Sequence, residues 1–174
     1  QRNAAKFNAY PTVGFVFQTH NKAHLISSIL QKFVNEVGCQ NIIFFSDGCV
    51  DHSTKKANQL LIGKSHIIIE KNDTHEVENY RQASSILQDM GCEYVVLLQD
   101  DDRYEGDIRI WLDECLTLFK QDEKLSIIGL HGAEDWDNSC YFHNVNETYL
   151  STPFKTQREH TKVYNIVDNA SRFV

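Results

Sequence analysis

Three consecutive carboxylates, Asp100, Asp101 and Asp102, stand at the end of the apolar run Tyr94-Val95-Val96-Leu97-Leu98, separated from it only by Gln99. Like charges this close repel and push at least one pKa upward, and a divalent cation removes that penalty. Mg²⁺ and Mn²⁺ take hard oxygen ligands and are commonly held by one or two carboxylates while substrate phosphates fill the remaining positions. The chemistry suggested is a metal-assisted clamp on a phosphorylated ligand. Two other apolar runs end in polar clusters of the same kind: Gln18-Thr19-His20-Asn21-Lys22 and Ser46-Asp47-Gly48-Cys49-Val50-Asp51. A basic residue, Arg81, stands apart from these three clusters, near the start of the third expected helix.

The segments between these clusters say how they are positioned. Residues 12–18 (TVGFVFQ), 41–45 (NIIFF), 67–69 and 93–98 are short runs rich in β-branched and aromatic residues, as in buried strands. Leu25, Ile26, Ile29, Leu30, Phe33, Val34 and Val37 recur at helical spacing, and Gly38 stands where a C-terminal helix glycine belongs. Further helices are expected over residues 53–61, with Asp51 as a cap, over 77–90, and from about residue 108 through Ile108, Trp111, Leu112, Cys115, Leu116 and Phe119. A strand over 126–130 and a late strand over 163–167 complete the reading, and 132–158 shows no period.

Strands alternating with helices imply βαβ units, right-handed crossovers and a mostly parallel sheet with helices on both faces. In such sheets ligands bind outside the carboxyl ends of the strands, where chain order reverses. All three polar clusters fall at such ends.

Composition narrows the classes. At 174 residues and 41% hydrophobic content the chain suits one α/β domain. A net charge of -7, with no Lys/Arg stripe, argues against nucleic acid as a partner. No apolar run approaches the roughly 20 residues a membrane-spanning helix needs. The five cysteines include no C-x-x-C pair and fit neither a disulfide framework nor a zinc site. Compartment stays open, the cytoplasm favoured over a lumenal setting.

The succession "FQTHNKAHL", "IIFFSDGCVDHST", Arg81 in "NYRQASSIL" and "EYVVLLQDDDRYEGDI" resembles the family-2 glycosyltransferases of the GT-A fold. Their pattern is a T-x-N-R/K loop, a D-D-G-S-x-D-x-T loop, an A-R-N helix start and a D-x-D run before an aromatic. The resemblance covers roughly residues 12–130. It implies a GT-A, Rossmann-like domain over 1–174, with a nucleotide-sugar-binding half at about 12–130 and an incomplete acceptor-side part at about 131–174.

The same resemblance implies metal-dependent transfer of a sugar from a nucleoside-diphosphate sugar, UDP-sugars favoured, to an acceptor hydroxyl with inversion. Gln18, Thr19, His20 and Asn21 would form the loop at the base and ribose. Asp47 would accept from the base, Arg81 would face the base or diphosphate, and Asp100 the ribose. Asp101 would ligate Mn²⁺ or Mg²⁺ and share the catalytic work, with Asp102 beside it or in its place. The acceptor base usually follows the late strand and so falls beyond Val174; Glu134 and Asp135 are the acidic pair available within the chain.

Departures from the family pattern are Ser46 and Gln99 in place of acids, and Asn79-Tyr80 before Arg81 in place of two alanines. Plainer roles stay open: Asp47-Gly48 as a turn, Arg81 paired with Glu78 or Asp73, the aspartate run as a solvated strand end or a cap for the following helix. A non-catalytic binding domain of a larger protein is the rival from another class. A sugar-phosphate nucleotidyltransferase fits less well, because residues 18–22 hold no glycine.

Overall fold

The computed structural model describes residues 9–74, 76–100, 107–122, 125 and 128, together with the backbone of 146–149 and 163–166. The chain divides into two compact units, Gln1–Arg103 and Tyr104–Val174. In the first, four parallel strands β1 (Val13–Thr19), β2 (Ile42–Asp47), β3 (His66–Lys71) and β4 (Tyr94–Gln99) alternate with helices α1 (Ile26–Gln31), α2 (Ser53–Leu60) and α3 (Glu76–Asp89). The strands lie in the order β3-β2-β1-β4. This is an α/β, Rossmann-like arrangement.

The registers assign the faces. Thr19 pairs with Ser46, and Gln18 pairs with Phe45 on one side and Gln99 on the other. Side chains alternate across a strand, so Phe15, Phe17 and Thr19 share one face with Ser46, while Gly14, Gln18, Phe45 and Asp47 share the opposite one. Phe33 packs edge-on against Phe15 and Phe17, with ring centroids 6.1 and 5.8 Å away. Thr54 of α2 donates to Ser46 Oγ at 2.8 Å. α2 and the helical segment Lys32–Val37 that continues α1 therefore cover the first face. On the other face α3 comes so close that a Cβ at Gly14 would stand 2.5 Å from Leu87 Cδ1, so glycine at residue 14 is what lets Leu87 reach the sheet.

β1, β2 and β4 are buried almost throughout, as expected for a parallel sheet covered on both faces. Val13, Phe15, Val16, Ile42, Ile43, Phe45, Val96 and Leu98 are wholly inaccessible. The helix expected to end at Gly38 does so, Gly38 taking φ 69, but beyond Gln31 it widens into a π turn over Lys32–Val37. There the Gly38 amide bonds Phe33 O, five residues back. No residue type marks that widening.

In the second unit, α4 (Ile108–Gln121) buries Ile108, Trp111, Leu112, Cys115 and Phe119, a stripe at helical spacing. Its cap is Asp107, whose carboxylate accepts from the amides of Arg109 and Ile110. The aspartate run is therefore not needed for that purpose. Leu125 and Ile128 are buried, but most of the strand expected over 126–130 lies outside the described residues. β6 (Val163–Ile166) matches the expected late strand and pairs antiparallel with β5 (Asn146–Tyr149), which the sequence did not announce. No helix among the described residues is long and apolar enough to cross a membrane.

Candidate functional site

Strand order reverses between β1 and β4, and there Thr19 Oγ1 donates to Asp100 Oδ2 at 2.8 Å. The His20 amide donates to the same oxygen at 3.1 Å, and Lys22 Nζ bonds Asp100 Oδ1 at 3.0 Å. Asp100 is only 6% exposed and Lys22 37%. A buried carboxylate is tolerable when donors satisfy it, and three groups from the β1 end do so. They fix Asp100 across the switch point of the sheet.

A second network lies on the face of α3. Asp47, 1% exposed, accepts at Oδ1 from the Thr74 amide at 2.8 Å and at Oδ2 from Asn79 Nδ2 at 3.0 Å. Thr74 Oγ1 donates to Asn79 Oδ1 at 2.8 Å, and Asn79 Nδ2 lies 3.3 Å from Gln18 Oε1. The end of β2, the loop after β3, the first turn of α3 and the end of β1 thus converge on one buried carboxylate.

The loops after β1 and β2 are laced together above these networks. His20 Nδ1 lies 2.6 Å from Asp47 O, Asn21 Oδ1 accepts from the Val50 amide at 2.8 Å, and Asp51 Oδ2 accepts from the Ala23 amide at 3.0 Å. Cys49 Sγ accepts from the Asn21 amide and donates to Thr19 O, both at 3.3 Å. Lys56 of α2 reaches Ala23 O at 2.7 Å. Gly48 makes the turn at φ 62, where a Cβ would stand 3.0 Å from Asp73 Cβ and 3.3 Å from His20 Cε1.

Asp51 also accepts from the Ser53 amide at 2.9 Å, as a cap would, although His52 holds the N-cap position of α2. Partial burial pushes its carboxyl up, but hydrogen bonds from Ser53 and Ala23 outweigh this and hold it below the usual carboxylate range. Beside this loop opens a hollow of about 740 Å³, lined among others by Cys49, Asp51, His52, Asn58, Gln59 and Ile62.

Of the expected site residues, Gln18, Thr19, His20, Asn21, Asp47 and Asp100 lie together at the ends of β1, β2 and β4. Arg81 does not join them. It is 76% exposed and forms a two-pronged pair with Glu78, at 2.9 Å from Nε and 2.8 Å from Nη2. That hydrogen-bonded pairing lowers the Glu78 pKa and raises that of Arg81. The α3 residue that reaches the strand ends is Asn79, wholly buried, together with Thr74 from the loop before it. Neither was singled out by type. The signal available was Asn79's place two residues before Arg81, one turn into a helix whose buried face includes Ala83 and Leu87.

Asp101 and Asp102, expected to hold the metal, and Glu134 and Asp135, offered as the base, lie outside the described residues. Among the described residues no three His, Cys, Asp or Glu side chains gather as a metal site. Both Asp100 oxygens carry protein donors, so this residue suits a positioning or hydrogen-bonding role better than that of a ligand to an ion.

Fold and strand-end networks together define an α/β protein with an open parallel sheet and a polar constellation at its switch point. Set against known proteins, the chain matches no protein-family model, and no curated protein shows a significant match to it.

Proposed function

We propose that this chain is a GT-A-type, metal-dependent glycosyltransferase domain that takes a nucleoside-diphosphate sugar, a UDP-sugar first, and passes the sugar to an acceptor hydroxyl with inversion. The observation that carries the reading is Asp100, locked by Thr19, His20 and Lys22 at the switch point and followed directly by two more aspartates. Parallel α/β sheets take their ligands at this place, and the motif succession from Thr19 to Asp102 supports a diphosphate nucleotide as that ligand.

In this reading the β1 loop and Asp100 orient the nucleoside, and Asp47 fixes the β3–α3 loop around it. Asp101 and Asp102 would hold Mn²⁺ or Mg²⁺, which supplies charge neutralisation at the leaving diphosphate. Glu134 or Asp135 would take the acceptor proton as the hydroxyl attacks the anomeric carbon.

Thermal-shift titration with UDP-, GDP- and dTDP-sugars, with and without Mn²⁺, tests the reading. A ligand at about a hundred times its Kd stabilises by about 2.7 kcal/mol. Metal-dependent stabilisation by at least one donor is expected, and its absence for all three overturns the proposal. One observation favours a second reading, a non-catalytic binding domain: the Asp47 and Asp100 carboxylates are already engaged by protein donors. Donor binding without donor hydrolysis or transfer to any acceptor would select it.

A further inference from the structure

Among the described residues β3 is an outermost strand of the parallel sheet, paired with β2 on one side only. The ladder shows which of its main-chain groups are engaged. Ser65 O accepts from the Ile42 amide and Lys71 O from the Gly48 amide, and the register between them runs unbroken. A strand residue turns its N–H and C=O to one side and its neighbour turns them to the other, so residues 65, 67, 69 and 71 face β2. His66, Ile68 and Glu70 aim theirs out of the sheet.

Such an edge is a template for a further strand unless charge, proline or a bulge blunts it. Residues 67–69 are consecutive isoleucines, with no proline and no bulge among them. No position of β3 is fully buried, whereas most of β1, β2 and β4 is, and Ile67 is 39% exposed. An apolar strand thus carries an open row of hydrogen-bonding groups at the sheet edge.

Turned end for end, this strand complements itself: His66 meets Glu70, Ile67 meets Ile69, and Ile68 meets its own counterpart. A two-fold interface requires that kind of match. The main chain selects the same alignment, because antiparallel strands exchange bonds only between residues that both face the gap. With Ile68 on Ile68, every outward residue of each copy finds an outward residue of the other. A slip of one residue sets outward groups against inward ones, and a slip of two sets Ile68 against Glu70 or His66. His66 Nδ1 lies 3.0 Å from Lys64 O, so the imidazolium form offers its Nε2–H to the Glu70 carboxylate of the second copy.

We propose that β3 is a dimerisation edge, through which two copies of the chain join antiparallel about Ile68 into one continuous sheet. The pairing leaves the carboxyl ends of β1, β2 and β4 at opposite edges of that sheet in the two copies, so both candidate sites stay open. Dimerisation through this edge does not depend on the nucleotide-sugar reading.

Sedimentation velocity of the whole chain at about pH 6, where an ordinary imidazole is largely protonated, tests it. Protein concentrations of about 1 to 100 µM cover the range of a small interface. Ile68→Pro removes an outward N–H from each copy and spares the ladder to β2. At roughly tenfold in affinity for each of the two bonds, the dimer should weaken about a hundredfold. His66→Glu sets carboxylate against carboxylate and should also weaken it, and adding Glu70→Lys to His66→Glu should restore it. If Ile68→Pro loses its circular dichroism spectrum, the charge series carries the test alone. A wild type monomeric at every concentration overturns the proposal, as does a folded Ile68→Pro that dimerises like wild type. A double variant no better than His66→Glu overturns the alignment about Ile68.

Discussion

Asn79 places its amide nitrogen 3.0 Å from Asp47 Oδ2, joining the first turn of α3 to the end of β2 through a pair of wholly buried side chains. Removing that donor leaves a carboxylate oxygen buried without it. Asn79→Ala should destabilise the chain by about 2–3 kcal/mol, the range for an unmet buried group of this kind. Urea denaturation measures it, and a loss below about 0.5 kcal/mol, the scale of an ordinary surface change, would show the network to be incidental.

The Thr19 hydroxyl on Asp100 gives a matched case across the switch point. Thr19→Val keeps the shape, Thr19 being 1% exposed, and removes one of three donors to the carboxylate. A loss of about 1–3 kcal/mol is expected in the same denaturation experiment. Under the proposed function, affinity for the nucleotide falls as well, because Asp100 loses one of its anchors.

Gly14 and Leu87 should show coupling. Gly14→Ala forces a methyl into a gap that Leu87 Cδ1 already fills at 2.5 Å, a cost of about 1–3 kcal/mol. In the background of Leu87→Ala the same methyl enters vacated space. The double variant should therefore be less damaged than the sum of the singles by at least about 0.5 kcal/mol, and strict additivity would refute the contact.

Asp51 predicts a pH dependence of defined sign. Its folded pKa lies below the ordinary value, because the bonds from Ser53 and Ala23 favour the charged form more than partial burial opposes it. The stability it contributes is therefore fully present above the unfolded value of about 3.9 and is lost as pH falls through the folded one. The stability difference between wild type and Asp51→Asn should be constant from about pH 7 to pH 5 and shrink below pH 4. A difference that grows on acidification would contradict the assignment.

Thiol reactivity should separate the cysteines. Burial pushes the Cys39 thiol up to about 12 and the Cys115 thiol higher still, and both are wholly inaccessible. Cys49 is partly exposed in the β2 loop. Among the described cysteines, alkylation of the native chain followed by peptide mapping should find Cys49 modified first, with Cys39 and Cys115 labelled only after denaturant is added.

Much of the frame was legible in the residues because each parallel strand is an unbroken apolar run ended by polar groups. Ile42 to Phe45 are buried throughout and Tyr94 to Leu98 at every position but the half-buried Leu97, and that burial is what makes a short run readable as a strand. The convergence of Gln18, Thr19, Asp47 and Asp100 on one end of the sheet followed from the same logic. Less was legible where a choice depends on partners distant in sequence. Arg81 and Asn79 are two residues apart, and only the packing of α3 decides that Asn79 turns in while Arg81 stays on the surface with Glu78. The π turn at Lys32–Val37 changes no buried position that helical spacing had marked, and so leaves no trace in the pattern. β5 is four residues long and shows itself only through its pairing with β6.

Because Gln18 and Thr19 are neighbours that feed opposite faces of the sheet, β1 acts as a partition between two walls of one site. Each wall can be varied while the other keeps its wild-type partners, which makes the site well suited to randomisation one face at a time. The same partition makes the strand intolerant of changes in length. A single-residue deletion within β1 would bring Gln18 toward Asp100 and carry Thr19 toward Asn79, exchanging the contents of both walls at once, and no compensating substitution at one position could restore them.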